Sequence, residues 1–262
     1  MKIAVCVKAV PDTETKIVLN SDKTNIETNQ VKFITSPYDE FAIEEALKIK
    51  EANSGTTVTA ISMGSNEAKD VLRDSLARGV DEAIHINVDK PLDFSPLTTG
   101  KILAKSLSLD SYDIILCGQQ GVGTDHSQVP AILAQLLNIT QATFIVKLTL
   151  KENNTFLAER EIEGSHEIVS GKLPAVFSAQ KGLNEPRYPS IKGVMAARKK
   201  EIKTLDLTSL NVAEEVSKTN SLVKLKALCL PQNKTSSKNI EGDPDQQVKA
   251  LVDLLRQEAK VL

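Results

Sequence analysis

The segment GQQGVGTDHSQVP, from Gly118 to Pro130, has the composition of an anion-binding loop. Three glycines fall within six residues, and the hydroxyl residues Thr124 and Ser127 follow them before a predicted helix begins. Glycines let backbone amides approach an anion, hydroxyls add donors, and a helix N-terminus adds the positive end of a dipole. The spacing matches neither G-x-G-x-x-G nor a P-loop, so an ordinary loop that enters a helix is the alternative to a nucleotide-phosphate site.

Patterns for metal binding or acid–base catalysis are weak. His85, His126 and His166 lie about forty residues apart, and no metal-ligand or Ser-His-Asp pattern surrounds them. His126 lies in the candidate loop, but a single loop histidine is usually solvated. The charged residues from Glu159 to Glu163 alternate along a predicted strand, which is typical of a solvated face with cross-strand pairs. We therefore predict no catalytic residue and no metal site.

The composition of the 262-residue chain argues against several classes of protein. The net charge is −2, aromatic residues make up 3% and Trp is absent, so neither a nucleic-acid surface nor a base-stacking platform is expected. We find no signal-peptide layout and no uncharged apolar stretch of membrane length. We expect a cytoplasmic protein without direct membrane insertion, in which Cys6, Cys117 and Cys229 are buried and reduced.

Short apolar segments alternate with helical patterns through the first half of the chain. The segments KIAVCV, TTVTAISMG, EAIHINV and YDIILCG are predicted strands, and helices are predicted to follow each of them. The first helix should have Pro37 at its first position, an S-x-x-D box from Ser36 and Asp39, and its end at Gly55. Gly79 should end the second helix, and Ser95-Pro96 should open the third. This alternation predicts an α/β fold with a doubly wound, mostly parallel sheet.

After Gln141 the pattern changes. The segments ATFIVKLTL, TFLAEREIE, HEIVSGKL and AVFSAQ resemble strands with no helix between them, and we predict antiparallel additions to the same sheet. Residues 231–243 read as a polar linker, and an amphipathic helix follows. We therefore predict an α/β domain over residues 1–230 and a C-terminal helical arm over residues 231–262. The arm packs either on its own domain or on a partner.

Two places in this fold are candidate binding surfaces. Ligands of doubly wound sheets bind beyond the strand ends where strand order reverses. If the first and fourth strands flank that point, residues 8–13 and the loop from Gly118 to Pro130 face one crevice. The second surface is NEPRYPSIKGVMAARKK, residues 184–200, where two prolines predict an ordered, non-helical loop before an apolar segment and a basic cluster. An ordered loop of this kind indicates docking.

The residues quoted above also resemble a known family. KIAVCVKAVPDTETKI, SPYDEFAIEEALKIKE, LARGVDEAIHI and ILCGQQGVGTDHSQVPAILAQLL are similar, in order, to successive blocks of the electron transfer flavoprotein β subunit. The most specific match is Arg160-x-x-Glu163-Gly164, followed by residues 173–176 and 184–188. The resemblance implies a heterodimer with an α subunit that holds most of the FAD, and a structural AMP in the β subunit. It also implies electron flow from flavoprotein dehydrogenases, such as the acyl-CoA dehydrogenases of fatty acid oxidation, to a membrane quinone reductase.

The resemblance assigns residues to both surfaces. The implied nucleotide-binding residues are Cys6, Val7, Lys8, Ser36, Pro37, Tyr38, Asp39, Met63, Gly123, Thr124, Asp125, His126, Ser127, Gln128 and Val129. The implied partner-binding residues are Tyr188, Pro189, Ser190, Ile191, Lys192, Gly193, Val194 and Met195. Ile191 occupies the position of the family's apolar anchor, and the basic cluster of residues 198–200 is predicted to steer acidic dehydrogenases.

Departures from the family pattern leave two alternatives. Members with AMP usually carry Asn at the position of Ser36 and Thr-Gly at that of Val129-Pro130, and Pro130 has no amide to donate. Flavin-bifurcating members, whose β subunit binds a second FAD in place of AMP and which also use NAD, often share VPDT but carry an Asp-Gly-Asp-Thr run that is absent here. We predict AMP. The other alternative is a stand-alone nucleotide-binding regulator.

Overall fold

The computed structural model describes residues 1–29, 31–88, 95–214, 216, 225–231, 237 and 239–262. The chain forms two compact units, Met1–Ala227 and Leu228–Leu262. The predicted linker over residues 231–243 lies partly outside the described residues. None of the helices in the described ranges combines the length and the apolar character needed to cross a bilayer.

The strands of the first unit are β1 (Lys2–Cys6), β2 (Ala9–Pro11), β3 (Phe33–Thr35), β4 (Thr57–Gly64), β5 (Glu82–Asn87), β6 (Ile114–Gly118), β7 (Thr140–Lys151), β8 (Thr155–Ile162), β9 (Ser165–Lys172), β10 (Ala175–Ala179) and β11 (Lys203–Asp206). Its helices are α1 (Pro37–Ala52), α2 (Asn66–Arg78), α3 (Pro96–Leu107), α4 (Val129–Leu137) and α5 (Ile191–Lys199). The second unit contains α6 (Pro244–Leu254), which continues as one π-helical segment, Leu255–Ala259.

The main sheet has nine strands in the order β11-β5-β4-β1-β6-β10-β7-β8-β9. All pairs from β11 to β7 are parallel, whereas β8 and β9 are antiparallel additions at one edge. The chain runs outward from β1 through β4 to β5 and then returns to place β6 on the other side of β1. The predicted doubly wound sheet is confirmed, and strand order reverses between the predicted first and fourth strands.

One part of the antiparallel prediction is wrong. The segment AVFSAQ forms β10, which lies between β6 and β7 and pairs with both in parallel. All five residues of β10 are buried, as is usual for a parallel strand covered on both faces. The excursion through β8 and β9 takes the place of a crossover helix, so the absence of a helix in the sequence did not indicate an antiparallel strand.

Both faces of the sheet are covered by helices. Ile3 and Val5 of β1 face the cluster that contains the buried residues of α1 and α2, whereas Ala4 and Cys6 face the cluster that contains those of α3 and α4. This alternation follows from the twofold side-chain period of a strand. Burial on both faces explains why the parallel strands are almost continuously apolar.

Several helix ends agree with the sequence, and the first helix differs from it. Gly79, at φ +125°, follows the last residue of α2, and the Ser95 hydroxyl accepts the Thr98 N–H at 3.2 Å at the start of α3. Helix α1 ends at Ala52, before the predicted stop at Gly55. The Ser36 side chain makes no capping hydrogen bond, so the predicted S-x-x-D box is wrong.

The charged residues of β8 pair across the antiparallel strands as predicted. Lys147 of β7 lies 2.7 Å from Glu159, and Arg160 lies 2.7 Å from Glu167 of β9. Arg160 also donates to the Thr143 carbonyl at 2.7 Å, which links β8 to β7 through a side chain. These pairs stabilise the register of the added strands.

Substitution of Phe156 tests whether β8 belongs to the main core. The Phe156 side chain is 1% exposed and meets Phe177 of β10 edge to face, with ring centroids 4.8 Å apart. We expect Phe156→Ala to lower the free energy of unfolding by about 3–5 kcal/mol, measured by urea denaturation. Ile168→Ala on β9 is the control, because that side chain is 69% exposed and its loss should cost no more than about 0.5 kcal/mol. Equal effects of the two substitutions would contradict this assignment.

Candidate functional site

A buried carboxylate joins the ends of β1 and β6 at the point where strand order reverses. Asp39, in the first turn of α1, accepts the Lys8 N–H at 2.8 Å with one oxygen and the Gly118 N–H at 2.9 Å with the other. The Ser36 N–H donates to the Lys8 carbonyl at 2.9 Å. The start of α1 therefore closes one side of the crevice that the two strand ends form.

Only glycine fits at position 118. A Cβ atom there would lie 2.3 Å from the Asp39 carboxylate and 2.8 Å from backbone atoms of both Tyr38 and Asp39. Such distances are far inside van der Waals contact, and the nearest backbone cannot move without breaking the start of α1. The close approach of helix and strand thus depends on both Asp39 and Gly118.

Burial shifts the pKa values of two groups in the crevice. Desolvation raises the pKa of Asp39 from 3.8 to about 7, against the opposing effects of the Lys8 and Gly118 amides and the Lys8 ammonium. Desolvation also lowers the pKa of Lys8, although Asp39 and Asp125 act in the other direction. Since burial disfavours both charged forms, an additional anion near Lys8 would raise the pKa of that side chain again.

The Lys8 side chain extends from the end of β1 to the glycine-rich loop. Its ammonium donates to the Thr124 hydroxyl at 3.1 Å. A Cβ atom at Gly121 would lie 2.7 Å from Lys8 Cδ, so the missing side chain at position 121 makes room for this lysine. The Thr124 and Asp125 N–H groups both donate to the Gly121 carbonyl, at 3.2 and 3.0 Å. The loop is therefore a tight turn folded over a cation.

The outer part of the loop is held by Gln120. Its amide donates to Asp125 at 3.1 Å and its carbonyl oxygen accepts the Ser127 hydroxyl at 3.0 Å. Gly123 has φ +90°, and a Cβ atom there would meet nothing within 4 Å, so backbone conformation and not space favours glycine. Gln120 was not among the predicted site residues, because a glutamine that bonds only its loop neighbours has no distinctive spacing.

Only some of the predicted nucleotide-binding residues come together in the structure. Lys8, Ser36, Asp39 and Thr124 come together around the crevice. Cys6 ends β1, and the next residue, Val7, donates its N–H to the Ile61 carbonyl at 2.8 Å. Pro37 and Tyr38 lie in the first turn of α1, and Met63 lies near the end of β4. The loop before α4 contains Gly123, Asp125, His126, Ser127 and Gln128, and Val129 is the first residue of that helix. Pro130 is the second residue of α4, and because proline has no N–H, the N-terminus of this helix has one donor fewer, as predicted.

The second surface, which we call the docking surface, consists of Tyr188, Ile191, Val194 and Met195. Tyr188 is 92% exposed, Ile191 84% and Met195 64%. The loop over residues 184–190 is non-helical as predicted, but Ile191 lies in the first turn of α5. The Ser190 hydroxyl caps this helix by accepting the Gly193 N–H at 3.0 Å. Ile191 and Met195 are one helical turn apart and present a short apolar row.

An arginine and an asparagine hold the loop before the docking surface. The Arg187 guanidinium donates to both oxygens of Glu44, at 2.8 and 2.9 Å, and pairs with Glu51 two turns further along α1. Hydrogen bonds to Glu51 and Glu44 raise the pKa of Arg187. Arg78 of α2 donates to the Arg187 carbonyl at 3.0 Å, and Asn184 donates to Glu45 at 3.0 Å. The loop is thereby fixed to two helices.

Helix α5 itself lies against α2. A Cβ atom at Gly193 would lie 2.2 Å from the Ala77 carbonyl oxygen, so the glycine allows the backbones to approach. Lys200 donates to the carbonyls of Val80 and Asp81, at 2.8 and 3.1 Å. The Lys200 ammonium is thus engaged in the fold but keeps its charge, and the steering role of the basic cluster over residues 198–200 stays a prediction.

The pKa of Asp39 gives a test by pH. Between pH 3.8 and about 7 the folded chain binds more protons at Asp39 than the unfolded chain does, so the contribution of this group to stability falls as the pH rises. We expect Asp39→Asn to remove this fall, because an amide does not titrate. Urea unfolding at a series of pH values measures it. Asp110→Asn is the control. Lys2 lowers the pKa of that exposed carboxyl, so the contribution of Asp110 to stability changes with pH only below pH 3.8. Equal slopes for wild type and Asp39→Asn would refute the assignment.

Comparison with known proteins identifies the family of this chain. A family model described as the electron transfer flavoprotein domain matches residues 24–210. The electron transfer flavoprotein subunit beta of Bacillus subtilis (strain 168) is 40% identical over 265 residues that cover all of both chains. The mitochondrial subunit beta of Arabidopsis thaliana is 36% identical, with all of both chains covered, and the subunit beta of Dictyostelium discoideum is 34% identical, with 100% of this chain and 99% of the relative covered. With a family model matching most of its length and relatives similar from end to end, the chain belongs to the electron transfer flavoprotein β-subunit family.

Proposed function

We propose that this chain pairs with an electron transfer flavoprotein α subunit in the cytoplasm and docks the heterodimer onto flavoprotein dehydrogenases, such as the acyl-CoA dehydrogenases of fatty acid oxidation. Electrons then pass through FAD, held mainly by the α subunit, to a quinone reductase. FAD supplies the redox chemistry when bound, and the residues of this chain bind and orient. The observation that carries the proposal is the docking surface, an exposed apolar row on a firmly held helix.

The docking surface has the properties of a transient hot spot. A large apolar side chain on a fixed backbone loses little conformational freedom on binding, so more of its burial free energy remains for affinity. The capped start of α5 and the Arg187 ion pairs provide that fixed backbone. Arg198 and Lys199 are exposed beside it and would attract acidic dehydrogenases, mainly by raising the association rate.

We also propose that the crevice between β1 and β6 holds AMP. The donors that support a phosphate are the Lys8 ammonium and the amides at the start of α4. Gly123 leaves the backbone of the loop open to a ligand, since a side chain there would meet no neighbour. An anion near Lys8 would offset the desolvation that now lowers its pKa, so the residues present fit a nucleotide phosphate.

Substitution of Ile191 tests the docking role. We expect Ile191→Ala to lower the kcat/KM for electron acceptance from a dehydrogenase about thirtyfold, which corresponds to about 2 kcal/mol for a hot-spot residue. The flavin content of the purified heterodimer should be unchanged, because the docking surface is separate from the crevice. Leu109→Ala is a matched control, since that apolar side chain is 59% exposed and lies in the turn after α3. Loss of flavin with normal binding to the dehydrogenase would show that the surface has another role.

Substitution of Lys8 tests the nucleotide site. We expect Lys8→Met to weaken AMP binding by the nucleotide-depleted heterodimer about tenfold to a hundredfold, the range for one hydrogen bond to a charged group. Titration calorimetry measures the affinity. Lys147→Met on β7 removes an equal charge from the antiparallel edge of the sheet and should leave the affinity unchanged. If both variants bind AMP like the wild type, Lys8 does not contact the phosphate.

A further inference from the structure

Two cysteines that lie far apart in the sequence are neighbours at the floor of the crevice. Cys6 ends β1, Cys117 is the residue before the end of β6, and the two are in register across the parallel pair. Both side chains are buried in the cluster that lies beneath α3 and α4. Cys229, in contrast with the prediction that all three thiols are buried, is exposed.

The spacing of the two cysteines suits a disulfide. Neighbouring strands lie about 4.8 Å apart, and disulfides join residues whose Cα atoms are about 4.4–6.8 Å apart. Both side chains point to the same face of the sheet and lie in the same buried cluster. The residue after Cys117 is Gly118, whose N–H is bound by Asp39, so a covalent link would lie directly beside the Asp39 bridge.

We propose that Cys6 and Cys117 are a redox-active dithiol that a peroxide converts into an intrachain disulfide, and that a nucleotide bound in the crevice protects it. The second part rests on the proposed AMP site, because protection requires a ligand above the strand ends. The first part is independent of any ligand.

The roles of the two thiols follow from their surroundings. The neighbouring Cys6 thiol, burial and the negative charge of Asp39 raise the pKa of Cys117, and we assign Cys117 the role of the resolving thiol. Cys6, after losing its proton, attacks one oxygen of hydrogen peroxide; the O–O bond breaks, and Cys6 becomes a sulfenic acid while hydroxide leaves. Cys117 then attacks the Cys6 sulfur, the S–O bond breaks, and water leaves with the Cys117 proton. Two thiols and one peroxide thus give one disulfide and two waters.

The test is non-reducing peptide mapping of the full-length chain after treatment with hydrogen peroxide. Cys229→Ser provides a background without the exposed thiol, and the wild-type chain is mapped in parallel so that the result does not depend on a variant. We expect one cross-linked peptide that contains Cys6 and Cys117, with a mass about 2 Da below the sum of the reduced peptides. The matched control Cys117→Ala should give oxidised Cys6 and no cross-link.

A second arm adds AMP. At about one hundred times its Kd, AMP leaves about one per cent of the sites free and should slow disulfide formation about a hundredfold. A disulfide that forms equally fast with AMP would uphold the dithiol and contradict the placement of the nucleotide. Sulfinic acid without a cross-link, an intermolecular disulfide only, or unreacted Cys6 and Cys117 would overturn the dithiol itself.

Discussion

A single carboxylate, buried between the two central strands, determines the shape of the crevice. Burying a carboxylate is costly unless its oxygens are hydrogen-bonded, and Asp39 meets this condition with one backbone N–H from the end of each strand. The arrangement requires the start of α1 to lie against Gly118 and leaves the Lys8 side chain free to reach the loop. These two hydrogen bonds offset the desolvation of Asp39 only in part, and its pKa is therefore raised to about 7. The position of the start of α1 and the direction of Lys8 both depend on this bridge.

Helix α1 connects the crevice to the docking surface. Its first turn holds Asp39, and its later turns supply Glu44 and Glu51 to Arg187, which fixes the loop before α5. The ends of one rigid element thus support two surfaces with different tasks. This arrangement supports the proposal of a subunit that positions a nucleotide and a partner and leaves the electron-transfer chemistry to a bound flavin.

Local patterns in the sequence were enough for the alternating part of the parallel core and for the ordered loop before Ile191. Strand and helix periods alternate clearly up to α4, and the prolines before Ile191 marked an ordered loop. Contacts between distant residues were not predictable. The two donors to Asp39 lie 31 and 79 residues away, so the carboxylate was assigned to a local capping box. The parallel pairing of β10 and the contact between Cys6 and Cys117 also depend on strand order, which no single segment encodes. Lys200 was assigned to a basic surface because its carbonyl partners lie 119 and 120 residues away.

In the function that we propose, this chain supplies a nucleotide crevice and a docking surface to a heterodimer with one flavin. The most direct measurement is mass spectrometry of the nucleotides released when the purified heterodimer is denatured. We predict one AMP and one FAD per heterodimer. Two FAD and no AMP would contradict the account and indicate a flavin in the crevice of this chain, and failure to form any complex with an α subunit would contradict it entirely.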